Sequence, residues 1–250
     1  MADGAVTPGM RRMLWTAAGL VLAQGVILVT LHDDTARYFA WTIAVPVTAG
    51  FLGSGYLSAF VLEAAAARQA TWQRARIAVP GVLAFTALTL VVTLVHLGAF
   101  HLFAGAAVTR ALTWGWLAIY VGVPPVLAVL WWRQARAVPG AGHAGRPLPP
   151  VLRAVFGLQG AVLLVVGAVL LAVPVRVAGL WPWPLTALTG RAAGAWLAGL
   201  GIIAAQSWHA NSREATAIVF PAATVYAALQ LAVLAGFAGS VRWGRPPAWG

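Results

Sequence analysis

Apolar positions along this chain neither alternate strictly nor gather on one face; they run on. Seven stretches are apolar nearly all round: 12–31, 42–64, 77–97, 111–132, 151–173, 190–208 and 216–238. Crossing a hydrocarbon layer about 30 Å thick takes roughly 20 residues of helix. Each stretch is about that long and nearly free of charge, so each predicts a membrane-spanning helix. Backbone groups in lipid have no water to bond, which makes helices the expected structure throughout. The pattern therefore predicts an all-α, polytopic transmembrane bundle of seven helices, forming one integral membrane domain over 1–250. The Pro/Gly/Arg-rich stretch RQARAVPGAGHAGRPLPP, residues 133–150, reads as a connecting loop between spans.

The spans resemble one another. LAQGVILV around Gln24 is similar to GLQGAVLLV around Gln159, and more weakly to AALQLAVL around Gln230 and ALTLVVTL around Thr89. The even spans share GSGYL, TWGWL and AGAWL, ending at Leu57, Leu117 and Leu197. Self-similarity at a fixed period is the mark of a repeat, here three parallel helix-pair units followed by one helix. Gln24, Gln159 and Gln230 then belong to the polar interior of the bundle. They serve as interhelical hydrogen bonds or, in a second reading, as contacts to a polar ligand. GRAAG, residues 190–194, has the small-xxx-small spacing that lets helix backbones approach closely in lipid.

Two connections enter their helices in a similar way, FAWTIAVP at 39–46 and LWPWPLT at 180–186. Tryptophan suits the headgroup level, where its ring is apolar and its N–H stays wet, and proline suits a first helical turn. Trp41, Trp181 and Trp183 are accordingly expected as interfacial anchors, with the lining of a ligand entrance as the alternative.

Composition narrows the chemistry. Hydrophobic residues make up 61% of the chain and charged ones 8%, where a soluble domain carries about a quarter. The formal net charge is +11, and every basic residue is arginine. Without lysine a Schiff base to retinal or pyridoxal phosphate cannot form. Without cysteine there are no disulfides, thiolate nucleophiles or iron–sulfur clusters. The arginines are scattered over the loops and form no stripe, so nucleic acid is not an expected partner; contact with lipid headgroups is. The lipid bilayer is the expected partner, with another membrane protein or a second copy as further candidates. Ten arginines fall on the side of the N-terminus and six on the other, which predicts an N-inside topology. The start, MADGAVTPGMRR, has no signal-peptide cleavage pattern. The arginine-, alanine- and glycine-rich usage points to a bacterial cytoplasmic membrane.

Candidate chemistry is concentrated on the expected outer side. His32, His96 and His101 are candidate metal ligands, with Asp33 or Asp34 as a carboxylate, and two histidines are also candidates to hold haem. Arg110 and Arg191 sit at helix N-termini, where the helix dipole disfavours a cation. Pairing them with Asp33 and Asp34 makes a structural clamp; alternatively the arginines bind an anionic headgroup or substrate. Glu63 is expected near the inner end of its span, reaching water or Arg68. The glycine-serine pair at Gly53–Ser54 lacks the glycine two residues before serine that an intramembrane serine protease wants, since Leu52 stands there. There is no HExxH or Walker loop, no catalytic set is assigned, and no cofactor is identified.

HLGAFH at 96–101, TRALTWGWLAIYVGVPP at 109–125 and LWPWPLT at 180–186 resemble a group of uncharacterised bacterial multi-pass membrane proteins with a WPWPLT-type motif. The resemblance implies multi-pass membrane character and no particular activity. The leading expectation is a non-catalytic bundle that binds a membrane partner or a lipid-like ligand. Alternatives are a permease or exporter for a small uncharged or hydrophobic molecule, with a polar path through Gln24, Gln159, Gln230 and Ser54, and a membrane enzyme or redox protein using the outer His/Asp cluster.

Overall fold

Residues 4–138 and 145–244 are described by the computed structural model. Asp3, residues 139–144 of the 133–150 connection, and Arg245 lie outside them. Seven helices among the described residues are long and apolar enough to cross a membrane: α1 (Pro8–Thr30), α2 (Pro46–Ala67), α3 (Ala78–Val95), α4 (Ala107–Ala137), α5 (Pro150–Ala172), α6 (Ala187–Ala210) and α7 (Val219–Gly236). The protein is an all-α polytopic bundle, and its apolar helices make it a multi-pass membrane protein.

Local sequence sets where the helices begin. Pro8, Pro46 and Pro150 occupy first helical turns, where a missing N–H has no helical acceptor to disappoint. The Thr7 hydroxyl accepts the Met10 N–H, and Thr186 forms a reciprocal cap with Thr189 at the start of α6. Helix α4 is longer than its expected 111–132 because its last turns run on through Arg133 and Arg136. The Arg136 guanidinium lies 3.9 Å from the centre of the Trp132 ring. Pro124 within α4 removes the N–H that would serve the Tyr120 carbonyl.

Helix α2 packs between α1 and α7, and α6 packs between α5 and α3; α4 lies against α3 and α1, and α2 also touches α6. Small residues make this closeness possible. A methyl added at Gly167 in α5 would lie 2.9 Å from the Gly194 carbonyl oxygen of α6, and one at Gly81 in α3 would lie 2.7 Å from the Gly199 carbonyl oxygen. In lipid such seams hold helices by van der Waals contact, since no hydrophobic effect separates them from the solvent. The GRAAG stretch supplies Gly194 to the α5–α6 seam.

The two ends differ. At the end carrying the N-terminus, residues 4–6 lie along the α2–α3 connection, with Trp72 N–H donating to the Gly4 carbonyl at 2.7 Å. The buried Gln134 amide of α4 clasps the same segment, accepting from Thr7 N–H and donating to the Ala5 carbonyl. Arg11 donates to the carbonyls of Ala67 and Gln69, closing the C-terminal end of α2. At the opposite end the chain is filled with aromatic rings.

Candidate functional site

The seven helices enclose a cavity of about 370 Å³, to which each contributes wall residues. Most of the wall is apolar, as binding pockets commonly are. Its polar groups are few: the Glu63 carboxyl, the hydroxyls of Tyr56 and Tyr120, the amides of Gln24 and Gln159, and the hydroxyls of Ser58, Thr86 and Tyr226.

Glu63 is the group of greatest interest. It stands one helical turn from the end of α2, in register with Ala59 and Tyr56 on the wall. The residue is only 2% exposed, and its Oε2 has no hydrogen-bond partner. It forms no ion pair among the described residues. The expectation that Glu63 reaches water or Arg68 is thereby corrected. The chain between 4 and 6 and the α2–α3 connection cover that end of α2, and Arg68 turns away to the Trp15 ring, 4.9 Å from its centre.

Above Glu63 the wall is aromatic. The Tyr56 and Tyr120 hydroxyls bond each other at 2.8 Å. Trp196 of α6 stacks on Phe85 at 3.9 Å between ring centres and meets Tyr56 edge-on at 4.8 Å. The cavity has a side opening. Helices α5 and α7 both line it but do not pack along each other; they meet through Phe156 and Phe220, 5.9 Å apart between ring centres. Gln159 on α5 and Ala223 and Ala227 on α7 line the cavity while remaining exposed on the bundle surface. That surface belongs to two helices long and apolar enough to cross a membrane.

No known protein family, curated protein or solved structure matches this chain. The reading of the site therefore stands on its geometry.

The glutamines separate. Gln24 and Gln159 line the cavity, whereas Gln230 donates its amide to the Phe51 carbonyl at 3.2 Å, joining α7 to α2. Ser54 bonds the Gly50 carbonyl of its own helix and is wholly buried. The expected polar path through Gln24, Gln159, Gln230 and Ser54 is therefore not continuous, because two of its four members are spent elsewhere.

The tryptophans are also placed differently from expectation. Trp41 and Trp183 are each 4% exposed. Trp41 packs among Phe39, Phe100 and Trp116, and Trp183 donates its N–H to Thr48 Oγ1 at 2.9 Å. Trp181 packs edge-on against Phe51 and Trp183, its N–H buried without a partner. WPWP thus folds back into the end of the bundle as packing, not as an anchor with its N–H in water. The connections run inward because burying large ring areas against one another stabilises the bundle end more than leaving them at its rim.

The outer cluster does not converge. His32 lies 3.5 Å from Asp33 and edge-on to Phe237; His101 bonds Thr42 at 3.2 Å; His96 accepts from Arg191 at 2.8 Å. Among the described residues no three His, Asp or Glu side chains approach as metal ligands do, so the grouping of His32, His96 and His101 with Asp33 or Asp34 around one ion is corrected. The Asp33/Asp34 clamp on Arg110 and Arg191 is corrected too, since no such ion pair forms among the described residues. Both aspartates are exposed on a turn after α1, and Arg110 is exposed on α4. Arg191 instead donates Nε–H to the Leu171 carbonyl at 3.0 Å. The negative C-terminal end of α5 thus offsets the conflict of a cation at the N-terminus of α6. Burial first, and the neighbouring Arg191 charge second, hold the His96 imidazole below its ordinary pKa.

Proposed function

We propose that this protein binds a lipid-like, amphiphilic small molecule within its helix bundle, without catalysing a reaction on it. The observation that carries this reading is the cavity walled by all seven helices, with a carboxyl oxygen of Glu63 that no described residue bonds and an opening toward lipid between α5 and α7. Its volume lies in the range that takes small molecules, about 300–1,000 Å³. An amphiphile entering sideways keeps its tail in hydrocarbon while its head meets the polar groups beside Glu63. The absence of an assigned catalytic set in the sequence favours binding over turnover.

We further take the membrane to be a bacterial cytoplasmic one, with the strapped end of the bundle inside. The ten-to-six distribution of arginines supports that orientation.

Native mass spectrometry of the gently extracted protein tests the binding reading. A lipophilic molecule at one copy per chain is expected to survive delipidation, and to be lost when Ala223→Trp fills the opening. A bare chain, or retention unchanged in the variant, overturns it.

A further inference from the structure

We infer that the cavity selects a lipophilic cation, an amphiphile whose head is an ammonium group, and that Glu63 is the residue that recognises it. This deepens the amphiphile-binding reading and rests on it.

The argument begins with charge. Among the described residues Glu63 is the only acidic side chain on the cavity wall, and none of them adds an arginine or histidine to it. An anionic head would find no base on this wall. A cationic head would meet a carboxyl that forms no ion pair among the described residues. Ionisable residues inside membrane proteins mark ligand or ion paths because their burial is costly without a partner. Glu63 Oε2 has none from the protein itself.

The second observation is the ring density on the same cavity wall. Tyr56, Phe85, Tyr120 and Trp196 form one connected group, with Tyr56 and Phe85 6.0 Å apart and Phe85 and Tyr120 6.1 Å apart between centres. Phe156 and Tyr226 add rings on the side of the opening. Aromatic faces attract an alkylammonium group without needing hydrogen bonds from it, and more strongly when water is excluded. One carboxylate within an aromatic wall, with no competing base, is the chemistry that binds a quaternary ammonium. The third is the path. The exposed wall residues Gln159, Ala223 and Ala227 leave an apolar exit for an alkyl tail.

The test measures binding of decyltrimethylammonium to the full chain in uncharged detergent by calorimetry. Decyldimethylamine N-oxide, with a net-neutral head of similar size, is titrated in parallel. Wild type is expected to bind the cation tighter by about tenfold or more. Glu63→Gln is expected to bring the cation down to the level of the N-oxide, and Ala223→Trp to weaken both. Equal affinity of wild type for both heads, with both lost in Ala223→Trp, overturns the cation preference while the amphiphile site stands. A preference that persists in Glu63→Gln overturns the role of Glu63. Failure of wild type to bind either molecule overturns the amphiphile-binding reading and this inference with it. The wild-type comparison needs no variant to fold.

Discussion

At the residue scale, two side chains are held in environments that have measurable costs. Glu63 places a carboxyl oxygen where nothing bonds it, and a buried unsatisfied polar group costs about 1–3 kcal/mol. Glu63→Leu is therefore expected to raise thermal stability by about that amount while abolishing the preference for a cationic amphiphile. A lower melting temperature would mean that Glu63 has a structural partner. His96 gives a pH dependence. Its neutral ring accepts the Arg191 N–H in the folded state, and its pKa is lowered on folding. Stability from this group is therefore present above the ordinary histidine pKa, about 6.5, and is lost as pH falls through the lower folded value. His96→Gln retains an acceptor but cannot titrate. Melting curves at pH 7.5 and pH 5 are expected to show a smaller acid-induced drop in this variant than in wild type, and equal drops would refute the assignment.

At the scale of elements, helix seams decide which glycines matter. Gly167 and Gly194 face each other across α5 and α6, and a Cβ at Gly167 meets Ala198 N at 2.8 Å. Neither backbone yields easily, so Gly167→Ala is expected to destabilise by about 1–3 kcal/mol through overpacking. Gly19 in α1 has nothing within 4 Å of the same position. Gly19→Ala is expected to change stability by no more than about 0.5 kcal/mol. Thermal unfolding of the two variants side by side checks the contrast; equal effects would argue against the seam. The GxxxG spacing of GRAAG points to such a seam from sequence. The facing glycine of α5 is not visible there, because nothing in the spacing says which helix lies opposite.

At the scale of the whole molecule, the cavity depends on two helices, α5 and α7, that meet at one end and leave a gap beyond it. The chain has no cysteine, so single introduced thiols report without background. Gln159→Cys is expected to react with a lipid-soluble maleimide in liposomes, and decyltrimethylammonium is expected to slow that reaction. Ser54→Cys, buried between helices, serves as the unreactive control. A Gln159→Cys that reacts no faster than Ser54→Cys would show the side of the bundle to be closed.

The solvent and the secondary structure are legible in the residues alone. Charge-free runs near 20 residues leave the backbone no partner but itself, so spans such as α1 and α5 are legible to within a few residues. Hydropathy is a property of each segment alone. The site was much less legible. The similar settings of Gln24, Gln159 and Gln230 do not separate their places: Gln24 and Gln159 line the cavity, Gln159 being exposed on the bundle surface, and Gln230 bonds Phe51. In sequence Glu63 is an end-of-helix acid, because position along the helix is visible there while its covering by residues 4–6 and the α2–α3 connection is not. Likewise Trp41 and Trp183 carry the sequence marks of rim residues, and only the inward course of their connections buries them. Tertiary structure alone decided which helices are neighbours, and with that which acid meets aromatic rings and which pair of helices leaves the cavity open. Helices that are apolar all round carry no stripe to specify their partners, so that choice rests on shape complementarity at glycine seams and on a few polar contacts between helices.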